Sequence, residues 1–143
     1  MRLTRASSYA LHAVAYMAQQ QSDRPVPSHK IARERAIPER FLLKVLKPLV
    51  SARVLMSLKG PHGGYNLARP ASDITVLEVV EAVDGPIRGE APPPEGADKK
   101  RFPHYQPQTN EPLYNKLNGL CQTSAESLRK SIGKVKVSEL IRS

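Results

Sequence analysis

The chain has 143 residues, 40% of them apolar, which suits one domain or a small domain with an appendage. No stretch approaches the ~18 uncharged apolar residues that a membrane helix needs. A single cysteine excludes an internal disulfide and an all-cysteine metal site. The opening MRLTRASSYALHAVAYMAQQ carries Arg2, Arg5, Ser7, Ser8 and His12, and no small-residue cleavage site follows. Neither a membrane span nor a signal peptide is expected, and a cytoplasmic location is. The net charge is +9, and it is not spread evenly. Residues 1–70 hold 12 Lys/Arg against 3 Asp/Glu, whereas 71–143 hold 10 of each. Such concentration suits a polyanion-binding module, the alternative being a basic face with no partner.

Along the first helix, over 7–20, Leu11, Val14, Ala15 and Ala18 recur at helical spacing, flanked by Tyr9, Tyr16 and Met17, and His12 is expected to pack within it. Ser28, after Pro27, is expected to cap a short second helix with Ile31 and Ala32 turned inward. Ala36-Ile37 makes the turn, and Pro38 starts a third helix through Phe41, Leu42, Val45, Leu46 and Leu49. Pro48 should kink or shorten its last turn. Val54–Leu58 and Tyr65–Leu67 read as strands joined by the glycine-rich tip Lys59-Gly60-Pro61-His62-Gly63-Gly64. Three helices and a hairpin in this order predict a winged helix-turn-helix, mainly α with a small β-wing.

Thr75 and Glu78 form a capping box for a helix through Val76, Val79, Val80 and Val83 that stops at Gly85. Residues 86–109 hold six of the 13 prolines (Pro86, Pro92, Pro93, Pro94, Pro103, Pro107) and are expected to form a mobile loop. Asn110 then caps a long helix starting at Glu111-Pro112, with Leu113, Leu117, Leu120, Leu128 and Ile132 on one stripe and Cys121 beside it. Such a stripe needs a partner, and the simplest is the same helix of a second chain. Gly119 weakens this helix by about 1 kcal/mol. A last short element, Val137 to Ile141, packs back on the body. The expected division is 1–85 DNA-binding domain, 86–109 loop, and 110–143 dimerisation helix with a terminal element.

Met1-Arg2-Leu3-Thr4, Tyr9-Ala10-Leu11, the run from Lys59 to Ala68 and the run from Ile74 to Gly85 together resemble the Rrf-type family of bacterial winged-helix transcription regulators. The resemblance is close over 1–85 and one of layout over 110–143. It implies a cytoplasmic homodimer on an imperfect palindrome of double-stranded DNA, acting as a repressor, with crossed long helices setting two winged helices about one DNA turn apart. It places recognition-helix contacts on Pro38, Glu39, Arg40, Phe41 and Lys44, wing contacts on Lys59, Gly60 and His62, and edge contacts on Arg2, Thr4 and Arg5, with Ser28 at the start of the second helix. It also implies a dimer interface of Leu113, Leu117, Leu120, Cys121, Leu128 and Ile132. The chemistry is consistent: Arg40 and Lys44 share a helical face and suit guanine edges or phosphates. Glu39 suits a cytosine amino group, or simply the helix dipole.

Two departures matter. Iron–sulfur members of that family carry three cysteines in the loop before the long helix, and 86–109 has none, so no cofactor is expected. Cys121 reads as a packing residue, with a redox-sensing thiol as the alternative. His104, Tyr105 and the run Lys99-Lys100-Arg101 are the loop's reactive groups, open to a small-molecule or protein effector or to plain solvation. Arg53 stands where the family has a glycine, at about 1 kcal/mol if its backbone is left-handed. A winged-helix protein-pairing module is the competing function, and an enzyme is not expected: no nucleophile–base pair, metal-ligand spacing or phosphate loop is present.

Overall fold

The computed structural model describes residues 1–92 and 100–142, with 107–110 described by their backbone. Pro93, Pro94 and Lys99 therefore lie outside the described residues. Helix α1 runs Arg5–Ala18, capped by Thr4, whose Oγ1 accepts the Ser7 amide at 3.0 Å. Its buried face is Ser7, Ala10, Ala13, Val14 and Met17, one residue out of step with the expected Leu11, Val14, Ala15 and Ala18 stripe. The alanines let neighbouring helices approach, and the Ser7 hydroxyl is satisfied by Asp84, so this polar position can be buried. His12 consequently faces solvent rather than packing in the helix.

Helix α2 spans Ser28–Arg35 and α3 spans Glu39–Ser51. Pro27, not Ser28, occupies the first cap position, and no side chain caps α2; the Ser28 hydroxyl donates instead to Glu39 Oε1 at 3.3 Å. The turn is made by Ala36 in a left-handed conformation (φ 52°), and Ile37 closes it by donating its amide to Ala32 O at 2.9 Å. In α3, Leu42, Val45, Leu46 and Leu49 are buried. Pro48 neither stops nor shortens the helix: only one hydrogen bond is removed, and Pro48 O itself accepts the Ala52 amide at 2.9 Å. Arg53 then turns the chain at φ 59°, the left-handed geometry anticipated there.

Strands β1 (Leu55–Leu58) and β2 (Gly64–Leu67) pair antiparallel, Leu55 opposite Leu67 and Leu58 opposite Gly64. Val26 adds a bridge that the sequence does not signal: it and Tyr65 exchange two backbone hydrogen bonds of 2.9 Å. After a single 3-10 turn at Ala71–Asp73, helix α4 covers Val76–Asp84. Its capping box is complete, the Thr75 hydroxyl accepting the Glu78 amide and Glu78 accepting the Thr75 amide. Gly85 at φ 79° ends it.

Helix α5 runs Pro107–Gly133 and α6 Val137–Leu140. The expected start at Glu111 with Asn110 as cap falls inside the helix, because proline at position 107 is itself compatible with a first helical turn. Pro112 thus lies within α5. Internal contacts group 131–143 with 1–86, and 87–130 by themselves. In the first group, Val76 donates to Val135 O and Val137 to Ile74 O, at 2.9 and 2.8 Å. Val137 is fully buried in the same core as Val14, Ile31, Leu42, Leu46, Leu49, Leu55 and Ile74. In the second group, Ala91 donates to Asn118 Oδ1 at 3.1 Å, and Gly89 lies so tightly on the Cys121 carbonyl that no side chain fits. The stretch 87–91, expected to be loose, is therefore packed on α5.

Candidate nucleic-acid interface

The buried stripe of α3 fixes which of its residues point outward. With Leu42, Val45, Leu46 and Leu49 in the core, the exposed positions of α3 and its cap are Pro38, Glu39, Arg40, Phe41, Leu43, Lys44, Lys47 and Ser51. Arg40, Lys44 and Lys47 follow one another at helical spacing, so the cationic line extends a turn beyond the residues anticipated from the sequence. The i, i+4, i+7 spacing is the signal for Lys47. Glu39 stands in the first turn of α3, where the helix dipole favours an acid, and is held by Ser28. That hydrogen bond draws half-buried Ser28 toward α3 and leaves its hydroxyl engaged.

The N-terminal edge meets this helix. Arg5, Ala6 and Tyr9 of α1, Phe41, Lys44 and Val45 of α3, and Val83 of α4 line one cleft. Lys44 Nζ stands 5.6 Å from the Phe41 ring centroid, and Phe41 is 51% exposed. Thr4 has a structural role: besides capping α1, its hydroxyl donates to Asp84 Oδ2 at 2.6 Å, and Ser7 donates to the same oxygen. Arg2 is exposed at the start of the chain.

At the wing, Lys59, Gly60 and His62 are exposed, and Gly63 closes the tip by donating to Gly60 O at 3.0 Å. His62 shares a groove with Arg24, Pro25, Pro27, Pro61 and Gly63. Arg24 is a cation that sequence reading misses, because the Val26–Tyr65 bridge that carries it to the wing is non-local. Arg2, Arg40 and Lys59 line neither groove. Among the described residues no ion pair to a carboxylate is found for Arg2, Arg5, Arg24, Arg40, Lys44, Lys47 or Lys59, whereas Arg33 pairs with Glu34 and Arg69 with Glu78. Their charge is available to phosphates.

Behind the wing, the Arg69 guanidinium donates to Glu78 Oε1 at 2.9 Å and to Asp73 O at 2.8 Å. Burial raises the Glu78 carboxyl, but the Thr75 amide, the Arg69 guanidinium and the Thr75 hydroxyl together outweigh it and hold it below its ordinary value. On α5, Leu113, Leu117 and Leu120 are exposed on one face (60, 44 and 65%), whereas Cys121, Leu128 and Ile132 are half-buried. Ile132 belongs to the group formed with 1–86 and the others to 87–130, so the expected stripe is divided between the two.

Three helices, a β-wing fastened to the segment before the second helix, and a fourth helix behind it make a winged helix-turn-helix. The chain belongs to the Rrf2 family, described as an iron-dependent transcriptional regulator, whose pattern matches residues 3–143. It is similar to an HTH-type transcriptional regulator of Mycobacterium tuberculosis, with 34% identity over 87 residues, 61% of this chain and 54% of that protein. It is also similar to the HTH-type regulator IscR of Photobacterium profundum, with 38% identity over 84 residues, 59% of this chain and 49% of that protein. The chain spans about half the length of the curated relatives it matches. Among solved structures, CymR, the global cysteine regulator of B. subtilis, superposes with a TM-score of 0.71 at 19% identity, covering 99% of this chain and 96% of that one. IscR of T. potens gives 0.60 at 18% identity, covering 99% and 86%. Family and neighbours are regulators, not enzymes. Among the described residues no helix is long and apolar enough to cross a membrane.

The donor chemistry bears on the family's iron. The chain has one cysteine, the half-buried Cys121, whose carbonyl lies under Gly89. Among the described residues no three His, Cys, Asp or Glu side chains gather at one place. A cluster needs about four ligands, mostly thiolates, and the residues described in one chain do not fit that demand.

Proposed function

We propose that the chain is a homodimeric, sequence-specific DNA-binding transcription regulator, a repressor at an imperfect palindrome, working without an iron–sulfur cluster. The observation that carries this reading is the set of exposed cations on α3, the wing and the chain start. Arg40, Lys44 and Lys47 on α3, Lys59 and His62 at the wing and Arg2 and Arg5 at the chain start are exposed on elements whose other sides are locked into one core. Such a helix delivers Arg40 and Lys44 into a major groove, while the wing reaches the adjoining backbone. Phosphate contacts supply most of the affinity, which falls steeply with salt.

The homodimer reading is supported by Leu113, Leu117 and Leu120, large apolar side chains that stay exposed on one face of α5 among the described residues. A second copy meeting that face buries all three and pairs two recognition helices, which is what a palindrome requires. The test is enrichment of fragmented genomic DNA on the purified protein, with iron content and absorption spectrum measured on the same anaerobic sample. Colourless, iron-free protein that enriches one palindrome is expected. Brown, iron-containing protein overturns the cluster-free reading, and failure to enrich any sequence overturns the DNA reading in favour of a protein-pairing module.

A further inference from the structure

The cleft between α1, the start of α3 and the end of α4 has a volume of about 240 Å3 and hydrocarbon walls: Ala6, Tyr9, Phe41, Val45 and Val83. Exposed Arg5 and Lys44 complete its lining. DNA contact accounts for the two cations, but not for a concave apolar pocket beneath them. The acid Asp84, next in sequence to Val83, does not line the cleft and is held by the Thr4 and Ser7 hydroxyls. Among the described residues no carboxylate neutralises Arg5 or Lys44.

We propose that this cleft binds a small organic anion with an aromatic or branched apolar body, the body lying against Phe41, Val45 and Val83 and the carboxylate meeting Arg5 and Lys44. Size and charge select this class. A protein cavity of ~150 Å3 accepts benzene, so 240 Å3 holds one ring and a short carboxylate arm but not a nucleotide. Guanidinium and ammonium groups bind carboxylates through charge-assisted hydrogen bonds, strongest beside a wall that excludes water. The anion occupies two cations that the DNA reading assigns to the DNA-facing surface, so anion and DNA exclude each other; this second step rests on that reading.

Methyl NMR of the full chain, titrated with phenylacetate, 2-phenylethanol and acetate, tests the site directly. Phenylacetate is expected to shift the Ala6, Val45 and Val83 methyl signals saturably, at least about tenfold more tightly than 2-phenylethanol. Acetate, lacking the apolar body, is expected to move none of them. Arg5→Gln, at an exposed position, should weaken phenylacetate while the Ala13 and Val79 core signals stay in place. Equal binding of the uncharged alcohol, shifts confined to other methyls, or no shift overturns the site. Phenylacetate is then added to the complex with the enriched DNA fragment. Release from the wild type, but not from a Val83→Phe variant with a filled cleft, supports exclusion. Methyl shifts without DNA release overturn exclusion alone, and absence of any DNA complex overturns the DNA reading while the methyl result still decides the cleft.

Discussion

Gly64 is where the wing is fastened to the body, and replacing it with alanine should free the wing. At φ +151° its Cβ would stand 2.5 Å from Val26 C and O and 2.8 Å from Pro27 N. These are backbone atoms, which cannot swing aside as the end of a flexible side chain would. Gly64→Ala must therefore separate the two segments and break the paired hydrogen bonds of 2.9 Å between Val26 and Tyr65. Two such bonds are worth about 2 kcal/mol together, and a non-glycine residue at positive φ adds about 1 kcal/mol or more. Gly60→Ala is the internal reference: its φ is +109°, yet nothing lies within 4 Å of the added carbon, so it carries the backbone cost alone. Urea unfolding should place Gly64→Ala about 2 kcal/mol below Gly60→Ala, with unchanged m-values. DNA titrations over a salt series should show a shallower slope for Gly64→Ala, by about one unit for each phosphate that the freed wing no longer neutralises. Equal destabilisation by the two substitutions, or an unchanged Gly64→Ala, would refute the fastening argument.

Three further outcomes are expected. Arg40→Ala should cost about 1–3 kcal/mol of specific binding and relax preference at one base position; an equal loss on every sequence makes Arg40 a phosphate contact, as competition binding will show. Leu117→Lys with Leu120→Lys should sediment as a monomer and lose palindrome binding, and a variant that stays dimeric shows that the interface lies elsewhere. The depressed Glu78 carboxyl contributes stability that is present above its unfolded-state pKa and lost as pH falls through its folded one. Its side chain is 40% exposed, so after solvent screening the contribution is about 1 kcal/mol at most. Unfolding free energy across the acid range should thus decline less for Glu78→Gln than for wild type, and parallel declines contradict the assignment.

What was legible in the sequence was local. Thr75, Glu78 and Gly85 punctuate α4 because capping and a left-handed stop are written within a few residues, and the glycines of the tip mark the wing. The left-handed turn at Arg53 is anticipated only through the family resemblance, which has a glycine there, whereas Ala36, equally left-handed, carries no mark at all. The buried side of α1 is misread by one residue because alanines serve a close helix contact as well as any larger apolar group, and the position of Ser7 depends on Asp84, 77 residues away. For the site, α3 and the wing tip follow from pattern, while Arg24 and the engaged hydroxyls of Thr4 and Ser28 follow from pairings between distant segments that periodicity does not encode.

The return of the chain at Val137 has a practical consequence for anyone dissecting the protein. A fragment ending at residue 85 contains every element of the winged-helix head, yet lacks a side chain that is 0% exposed in its core, together with the strand-like clasp of Val135 and Val137 around Ile74 and Val76. Burial of one valine is worth about 1.5–3 kcal/mol, a large share of the stability of so small a head. Transplanting this head onto another protein therefore requires supplying 131–143 as well, as a second peptide or through a linker. Conversely, a single backbone cut within 87–130 leaves two pieces that still share one core.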